Sequence, residues 1–251
     1  MKIITVSNQK GGSAKTSVTV NLAAALAELK KKVLVIDLDP QGSASAWLKC
    51  QNDGKGLFNV FTENTSISDI VMNSRIAGLD VIPASPWLVG ADKTLSSEAG
   101  AELILKNQLK KLGKMWDYIL IDTPPALSLL GLNAMCAAHE VLVPVETRIM
   151  ALQGLMQLTK TIGTVRERLN PELEILGVLA CRVDKRTRLS QDVIQELKKR
   201  LGEKLLPVHI RESVKIAEAP SFGEPITKYD SKGPGSEDFR ALAKLIAKRG
   251  E

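Results

Sequence analysis

Aromatic side chains are scarce in this sequence, with four Phe, three Trp and two Tyr among 251 residues. An interior with so few rings must be aliphatic, and the 44% of residues that are hydrophobic are enough for a sizeable core. Cysteine is sparse too. Cys50, Cys136 and Cys181 are odd in number, widely spaced and in no C-x-x-C pair, which excludes a disulfide framework and a zinc site of ordinary spacing. The two histidines, His139 and His209, lie near no second ligand or nucleophile in the sequence and read as structural; Ser213 and Ser221 have no nucleophile setting. No apolar run approaches the ~20 residues a membrane span needs. The first apolar run is a strand's length and is broken by Ser7 and Asn8, which is no secretory signal. A reduced, cytoplasmic protein is expected.

Charge is not scarce, but it is uneven. The formal net charge is +6, from 34 basic and 28 acidic side chains. From Arg182 onward there are 16 basic against 11 acidic residues, while the preceding part is nearly balanced. A basic excess in the C-terminal part suits a polyanionic partner such as nucleic acid, although lysine-rich helix faces are also commonly just solvated.

Short Val/Ile/Leu runs alternate with helical stretches along the whole chain. Strands are expected at Ile3–Val6, Val33–Ile36, Leu79–Ile82, Tyr118–Ile121, Glu140–Val145, Leu173–Ala180 and Leu205–Val208. Helices are expected at Val18–Leu29, Ser66–Met72, Ala101–Leu112, Leu127–Ala138, Ala151–Leu169, Leu189–Leu201, Glu212–Glu218 and Glu237–Lys248. This alternation, with no repeat and no low-complexity linker, predicts an α/β fold: one doubly wound, mainly parallel sheet flanked by helices, spanning 1–251 as a single domain.

The first seventeen residues organise the rest. A strand is followed by Ser7-Asn8-Gln9-Lys10-Gly11-Gly12-Ser13-Ala14-Lys15-Thr16-Ser17 and then by a helix. Loop glycines allow backbone N–H groups to converge, and the first helical turn carries unpaired donors with positive dipole character; together they make a phosphate site. The residues from Lys10 to Ser17 form the expected nucleotide cradle, with Lys15 reaching the β/γ-phosphates and the Thr16 hydroxyl on Mg²⁺. The usual G-x-x-x-x-G-K-[ST] pattern fails at both glycines, where Gln9 and Ala14 stand; K-G-G-x-x-K-[TS] fits instead. Further along, the apolar strand ending in Asp122 is placed to hold Mg²⁺ beside that loop.

The stretch resembles the deviant P-loop of the ParA/MinD group of dimeric ATPases, and NQKGG is closest to the ParA/Soj branch. DLDPQG resembles the family's first switch loop and DTPP, from Asp122, its second. IRESVKIAEAPSFGEPI resembles R-x-x-x-x-x-x-E-A-P-S-x-G-x-P-I, DKRT matches D-x-R-T, and VPVETRIMALQGL matches P-V-x-x-x-x-x-A-L-x-G-L. Arg148 stands where many members carry an acid, and Ala14 where they usually have glycine.

The resemblance implies that Lys10 crosses a dimer interface to the partner's phosphates, that Asp39 orients the attacking water and that Asp37 sits close to the magnesium shell. It makes Thr123 and Pro124 responsive to the γ-phosphate. It sets the base contact around Pro207–Arg211, giving Pro207, Ile210 and Arg211. It further implies an ATP-sandwiched homodimer that coats nucleoid DNA without sequence preference, a ParB-like partner that stimulates a slow ATPase, and no membrane contact. Candidate DNA contacts by position are Arg186, Arg188, Lys198, Lys199, Arg211, Lys215, Lys244 and Lys248. No N-terminal DNA-binding extension is expected.

Two other readings stand beside this one. A MinD-like division-site regulator would use a C-terminal amphipathic helix, for which Phe239, Leu242, Leu245 and Ile246 are the candidate apolar face. A relative of the nitrogenase iron protein would use cluster-ligating cysteines, of which only Cys136 is suggestively placed.

Overall fold

The computed structural model describes residues 1–126, 128–147 and 151–249; Arg148 and Leu127 lie outside them. Among the described residues the strands are β1 (Lys2–Val6), β2 (Val33–Asp37), β3 (Met72–Asn73), β4 (Leu79–Ile82), β5 (Tyr118–Asp122), β6 (Glu140–Glu146), β7 (Glu174–Val183) and β8 (Leu205–Arg211). They form one sheet in the order β3-β4-β2-β5-β1-β6-β7-β8, parallel throughout except for the short β3–β4 pair. This is the doubly wound α/β architecture expected from the alternation of strand and helix. The central strands are buried along their length because helices cover both faces, which is why they read as continuous aliphatic runs.

Alternate residues of each strand feed two cores. Leu34 and Ile36 of β2 face one, Val33 and Val35 the other. The first core is closed by α3 (Leu57–Thr62), α4 (Ala91–Leu95), α5 (Ile104–Lys111), α6 (Leu129–Ala137), α7 (Ala151–Arg168) and α8 (Arg188–Leu201). The second is closed by α1 (Lys15–Glu28), α2 (Ser43–Trp47), α9 (Val214–Phe222), α10 (Ile226–Tyr229) and α11 (Pro234–Arg249). Helix α1 is buried without a break from Val18 to Ala27. Its run of alanines lets it sit between the sheet and α11, a place a larger amphipathic helix would not fit.

Several elements differ from their sequence reading. The helix expected at Ser66–Met72 is a 3-10 turn at Ile67–Ile70, followed by β3, which doubles back antiparallel on β4. Serine and aspartate bond locally there, with the Ser68 hydroxyl 3.1 Å from Asp69, and such bonds compete with a helical ladder. Helices α2, α3 and α4 have five or six residues each, too few to show a period. The helix expected at Glu212–Glu218 is α9, shifted two residues on and running to Phe222, where Gly223 takes the left-handed φ of 67° that ends it. Helix α11 starts at Pro234, whose missing N–H costs nothing in a first turn.

Candidate functional site

The carboxyl ends of β1, β2 and β5 meet at one place. Strand register sets Val6 beside Asp122, and Asp122 beside Asp37. The two acids therefore close neighbouring parallel strands, about 4.8 Å apart at the backbone, and both are fully buried. Asp37 Oδ2 accepts the Ser45 N–H at 2.8 Å and the Ser45 hydroxyl at 2.7 Å, while Oδ1 accepts the Asp39 N–H at 3.2 Å. Asp122 accepts the Thr16 hydroxyl at 2.7 Å and the Thr19 hydroxyl at 3.1 Å. Burial pushes both carboxyls well above the ordinary range. Asp37 pushes Asp122 further, and Asp39 does the same to Asp37, against the hydrogen bonds that pull them down. Lys15 is also buried, and burial lowers its ammonium while Asp122 and Asp39 oppose that. The site holds more negative charge than its own cation offsets.

The loop above it is held open. Asn8 is buried, its amide donating to the Pro144 carbonyl at 2.7 Å while its Oδ1 accepts the Lys10 N–H at 3.0 Å. Lys15 Nζ donates to the Lys10 carbonyl at 3.3 Å. Gly12 and Ala14 both have left-handed backbones, with φ of 72° and 67°. Ala14 is the N-cap of α1, which has no side-chain cap and no acid in its first turn, so the donors of that turn are unspent. The buried Ser13 hydroxyl has no partner among the described residues.

Two hollows meet over this loop. A polar cup of about 250 Å³ is bounded by residues 11–17, Asp39, Ser43, Pro125 and Arg182. A less polar cleft of about 280 Å³ runs on from it between the start of α1, the ends of β7 and β8, and α9. Ala14, Ser17 and Arg182 line both. A cup of unspent donors continuing into a less polar slot has the shape of a nucleotide's phosphates and base.

The residues present fit a phosphate with a divalent cation. The unspent helix donors, the orphaned Ser13 hydroxyl and Lys15 suit an anion. Thr16, Asp122 and Asp37 offer only oxygen, which suits a hard cation. Among the described residues no three His, Cys, Asp or Glu side chains gather to hold a metal alone. Mg²⁺ needs no such group, since it takes one or two carboxylates and completes its shell with phosphate oxygens and water.

Of the residues singled out in the sequence, Gly11, Gly12, Ser13, Ala14, Lys15, Thr16, Ser17 and Asp39 line the cup, and Ile210 and Arg211 line the cleft. Pro207 does not: it is exposed on β8, short of the cleft. Lys10 is exposed and makes no ion pair among the described residues. Thr123 is buried, its hydroxyl donating to the Val6 carbonyl at 2.9 Å. Sequence reasoning missed Asn8, Ser43, Pro125 and Arg182, and the cleft wall from Ile216, Ala217 and Pro220. Asn8, Pro125, Ile216, Ala217 and Pro220 lie inside the NQKGG, DTPP and IRESVKIAEAPSFGEPI stretches but had no role named there, and only the fold brings Ser43 and Arg182 to them. Cys181, read as an ordinary thiol, lines the cleft, with burial pushing the thiol far up.

The eight cations named for DNA are carried by elements on both faces of the sheet, and Arg186 and Arg211 line one hollow together. Helix α8, carrying Arg188, Lys198 and Lys199, covers one face of the sheet, and α11, carrying Lys244 and Lys248, covers the other. Arg188 and Lys199 sit near opposite ends of a helix about 20 Å long. Arg186 is closed on Asp184 by two bonds of 2.9 Å. Arg211 is chelated by Asp238 and reaches Glu237 at 3.1 Å, and Lys215 pairs with Glu218 at 3.0 Å. Lys198, Lys199, Lys244 and Lys248 are exposed and unpaired among the described residues.

The apolar face of α11 is used internally. Phe239, Leu242 and Ile246 are at most 1% exposed, packed on α1 and β8. No described helix is long and apolar enough to cross a membrane. Cys136 is fully buried in α6, its thiol pushed up to about 11 by burial.

A family profile described as an AAA domain matches residues 1–175. The sporulation initiation inhibitor protein Soj of Bacillus subtilis (strain 168) is 40% identical over 251 residues, covering 99% of each chain. The chromosome partitioning protein ParA of Myxococcus xanthus (strain DK1622) is 38% identical over 250 residues, covering 99% of this chain and 88% of that one. Among solved structures, cobyrinic acid a,c-diamide synthase from Mycobacterium smegmatis with bound ADP and magnesium superposes with a TM-score of 0.86 at 32% identity, over 98% of this chain and 94% of that one.

Proposed function

We propose a function from one premise: the chain belongs to the ParA/Soj family of ATPases. It is an ATP-driven switch that dimerises around ATP, binds DNA without sequence preference in that state and partitions DNA or another large cargo. The observation that carries the reading is the buried Asp37–Asp122 pair, with the Thr16 hydroxyl on Asp122, directly beneath a cup of unspent helix donors. A structure 32% identical was solved with ADP and magnesium, which supports the same ligands here.

In this reading the phosphates lie in the cup formed by Gly11 to Ser17, and the base enters the cleft beside Ile210 and Arg211. Thr16 and Asp122 would hold Mg²⁺, with Asp37 behind them; when bound, the ion neutralises charge that develops on the phosphates. Lys15 exchanges the Lys10 carbonyl for a phosphate oxygen. Asp39, on the rim of the cup, orients the attacking water. An exposed, unpaired Lys10 is free to reach the partner's phosphates, where a cation stabilises charge in transfer.

DNA binding draws on many weak phosphate contacts rather than a reading patch, which agrees with cations on both faces of the molecule. Lys198, Lys199, Lys244 and Lys248 are the unpaired contributors; Arg186, Arg211 and Lys215 must first leave an acid. Two protomers side by side widen the basic surface, so DNA affinity depends on ATP. A ParB-like partner bound to cargo then stimulates hydrolysis and releases the dimer, giving a cytoplasmic, nucleoid-associated cycle. The MinD-like reading is disfavoured because the apolar face of α11 already packs on α1, and peeling it away would bare both. A cluster-bearing reading is disfavoured by the burial of Cys136.

The test is a gel shift of duplex DNA with no nucleotide, ADP or ATP, at low and moderate salt. Binding with ATP alone, lost in Lys10→Ala and prolonged in Asp39→Ala, is expected. Indifference to DNA in every nucleotide state would overturn the DNA part of the reading.

A further inference from the structure

Arg182 is an unusual residue in an important place. It follows the buried core of β7 with a left-handed backbone, φ 53°, a conformation that costs a side chain with a Cβ about 1 kcal/mol. It lines both hollows, at the seam where the phosphate cup becomes the base cleft. Its guanidinium is 2.8 Å from the Glu146 carboxylate, whose side chain is only 7% exposed, while that of Arg182 is 46% exposed.

The residue after Glu146, just past the end of β6, grips the other side of Arg182. The Thr147 hydroxyl lies 3.1 Å from the Arg182 carbonyl, to which it donates, and 3.0 Å from the Ser190 hydroxyl, which in turn accepts the Asp184 N–H at 3.4 Å. Consecutive residues Glu146 and Thr147 thus hold the head and the backbone of a strained arginine. A solvated surface arginine needs neither the strain nor a buried carboxylate partner.

We propose that Arg182 is a nucleotide-contacting residue that binds the α-phosphate of a nucleoside polyphosphate, and that Glu146 is the positioning residue that aims it. A nucleotide spanning both hollows puts its ribose and α-phosphate at the seam. Guanidinium there pairs with phosphate oxygens in forked geometry, which a lysine matches only as a point charge. Glu146 is buried and keeps the guanidinium oriented before the ligand arrives, so less side-chain freedom is lost on binding. The inference rests on the nucleotide reading above and adds to it a contact outside the glycine loop.

The experiment is competition against a fluorescent ADP, with Mg²⁺ present, by unlabelled ADP and by adenosine. Wild type, Arg182→Met, Arg182→Lys and Glu146→Gln are compared after each is shown to be folded by its melting curve. Arg182→Met should weaken ADP about tenfold and adenosine less than about twofold. Arg182→Lys should recover part of the ADP loss, and Glu146→Gln, which keeps the cation but not its aim, should lose about threefold. Unchanged ADP affinity in Arg182→Met overturns the proposal. So does an equal loss for adenosine, which would make Arg182 a base contact. Failure of wild type to bind ADP at all would instead refute the nucleotide reading itself.

Discussion

The two ends of the same sheet handle polar groups in opposite ways. At the amino ends polar groups pair with one another. Lys2 pairs with Glu140 at 3.0 Å, Asp117 accepts the Lys32 N–H at 2.7 Å, and Asp80 takes the Trp116 indole N–H at 2.8 Å. His139 accepts the Ile3 N–H on Nδ1 at 2.9 Å, which closes the start of β1 against β6. At the carboxyl ends, Asp37 and Asp122 are buried side by side, Lys15 is buried above them, and Ala14 and Arg182 hold left-handed backbones. The amino end draws its partners from the chain itself, with only the buried Glu140 Oε2 left over, whereas the carboxyl end leaves the Ser13 hydroxyl and the first-turn donors of α1 for something it binds. Burying two like charges beside a single cation is costly, so an end built this way is the functional one.

The contrast can be broken first at the carboxyl end. Lys15→Ala should lower ATP hydrolysis by at least about 100-fold, since it removes the cation closest to the developing charge. A turnover assay with saturating Mg-ATP checks this, and the melting temperature without nucleotide should hardly change. Asp39→Ala should cut turnover by about 100-fold, the usual worth of a positioned base. Unlike Lys15→Ala, it should keep ATP affinity, measured by equilibrium titration.

A smaller effect comes from the loop's strain. Ala14→Gly relieves a left-handed alanine at an N-cap, where glycine is the better residue, and should stabilise the apo protein by about 0.5–1 kcal/mol. That is roughly 1–4 °C in Tm for a chain of this size.

The smallest effect sharpens the comparison through its sign. Asp37 and Asp122 have folded pKa values raised above the ordinary carboxylate range, mainly by burial. Their contribution is full below about pH 4 and is lost as pH rises toward neutrality. His139 is lowered by burial, so its contribution is present above its ordinary value near 6.5 and is lost as pH falls through its folded pKa. Melting curves of the nucleotide-free protein from pH 5 to 8 should therefore show Asp122→Asn removing stability loss on the alkaline side. His139→Gln should remove loss on the acid side. The same sign for both variants would end the distinction between the two ends.

Much of the phosphate end was legible because its chemistry is contiguous in the chain. Strand, glycine loop and helix follow one another, so Lys10 to Ser17 could be named with roles, and Asp122 closes a strand whose apolar run is unmistakable. Less was legible where elements are short or partners distant. Helices of five residues show no period, and β3 is two residues long. The base contact was expected around Pro207–Arg211, yet Pro207 faces solvent and the cleft lined by Ile210 and Arg211 takes its opposite wall from α9. The basic excess was visible, but not that Arg186, Arg211 and Lys215 are occupied by acids.

By itself, then, the sequence determined the alternation of strand and helix, the aliphatic core and the phosphate loop, all of which rest on neighbours in the chain. The tertiary structure decided everything that depends on strand order. Because β5 inserts between β1 and β2, Asp122 lies beside Asp37. Because β7 pairs with β6, Glu146 reaches Arg182. Because α8 and α11 cover opposite faces and both meet β8, the C-terminal cations come from both sides of one sheet edge. Parallel strands are joined by long crossovers, and no local pattern records which strand will lie beside which.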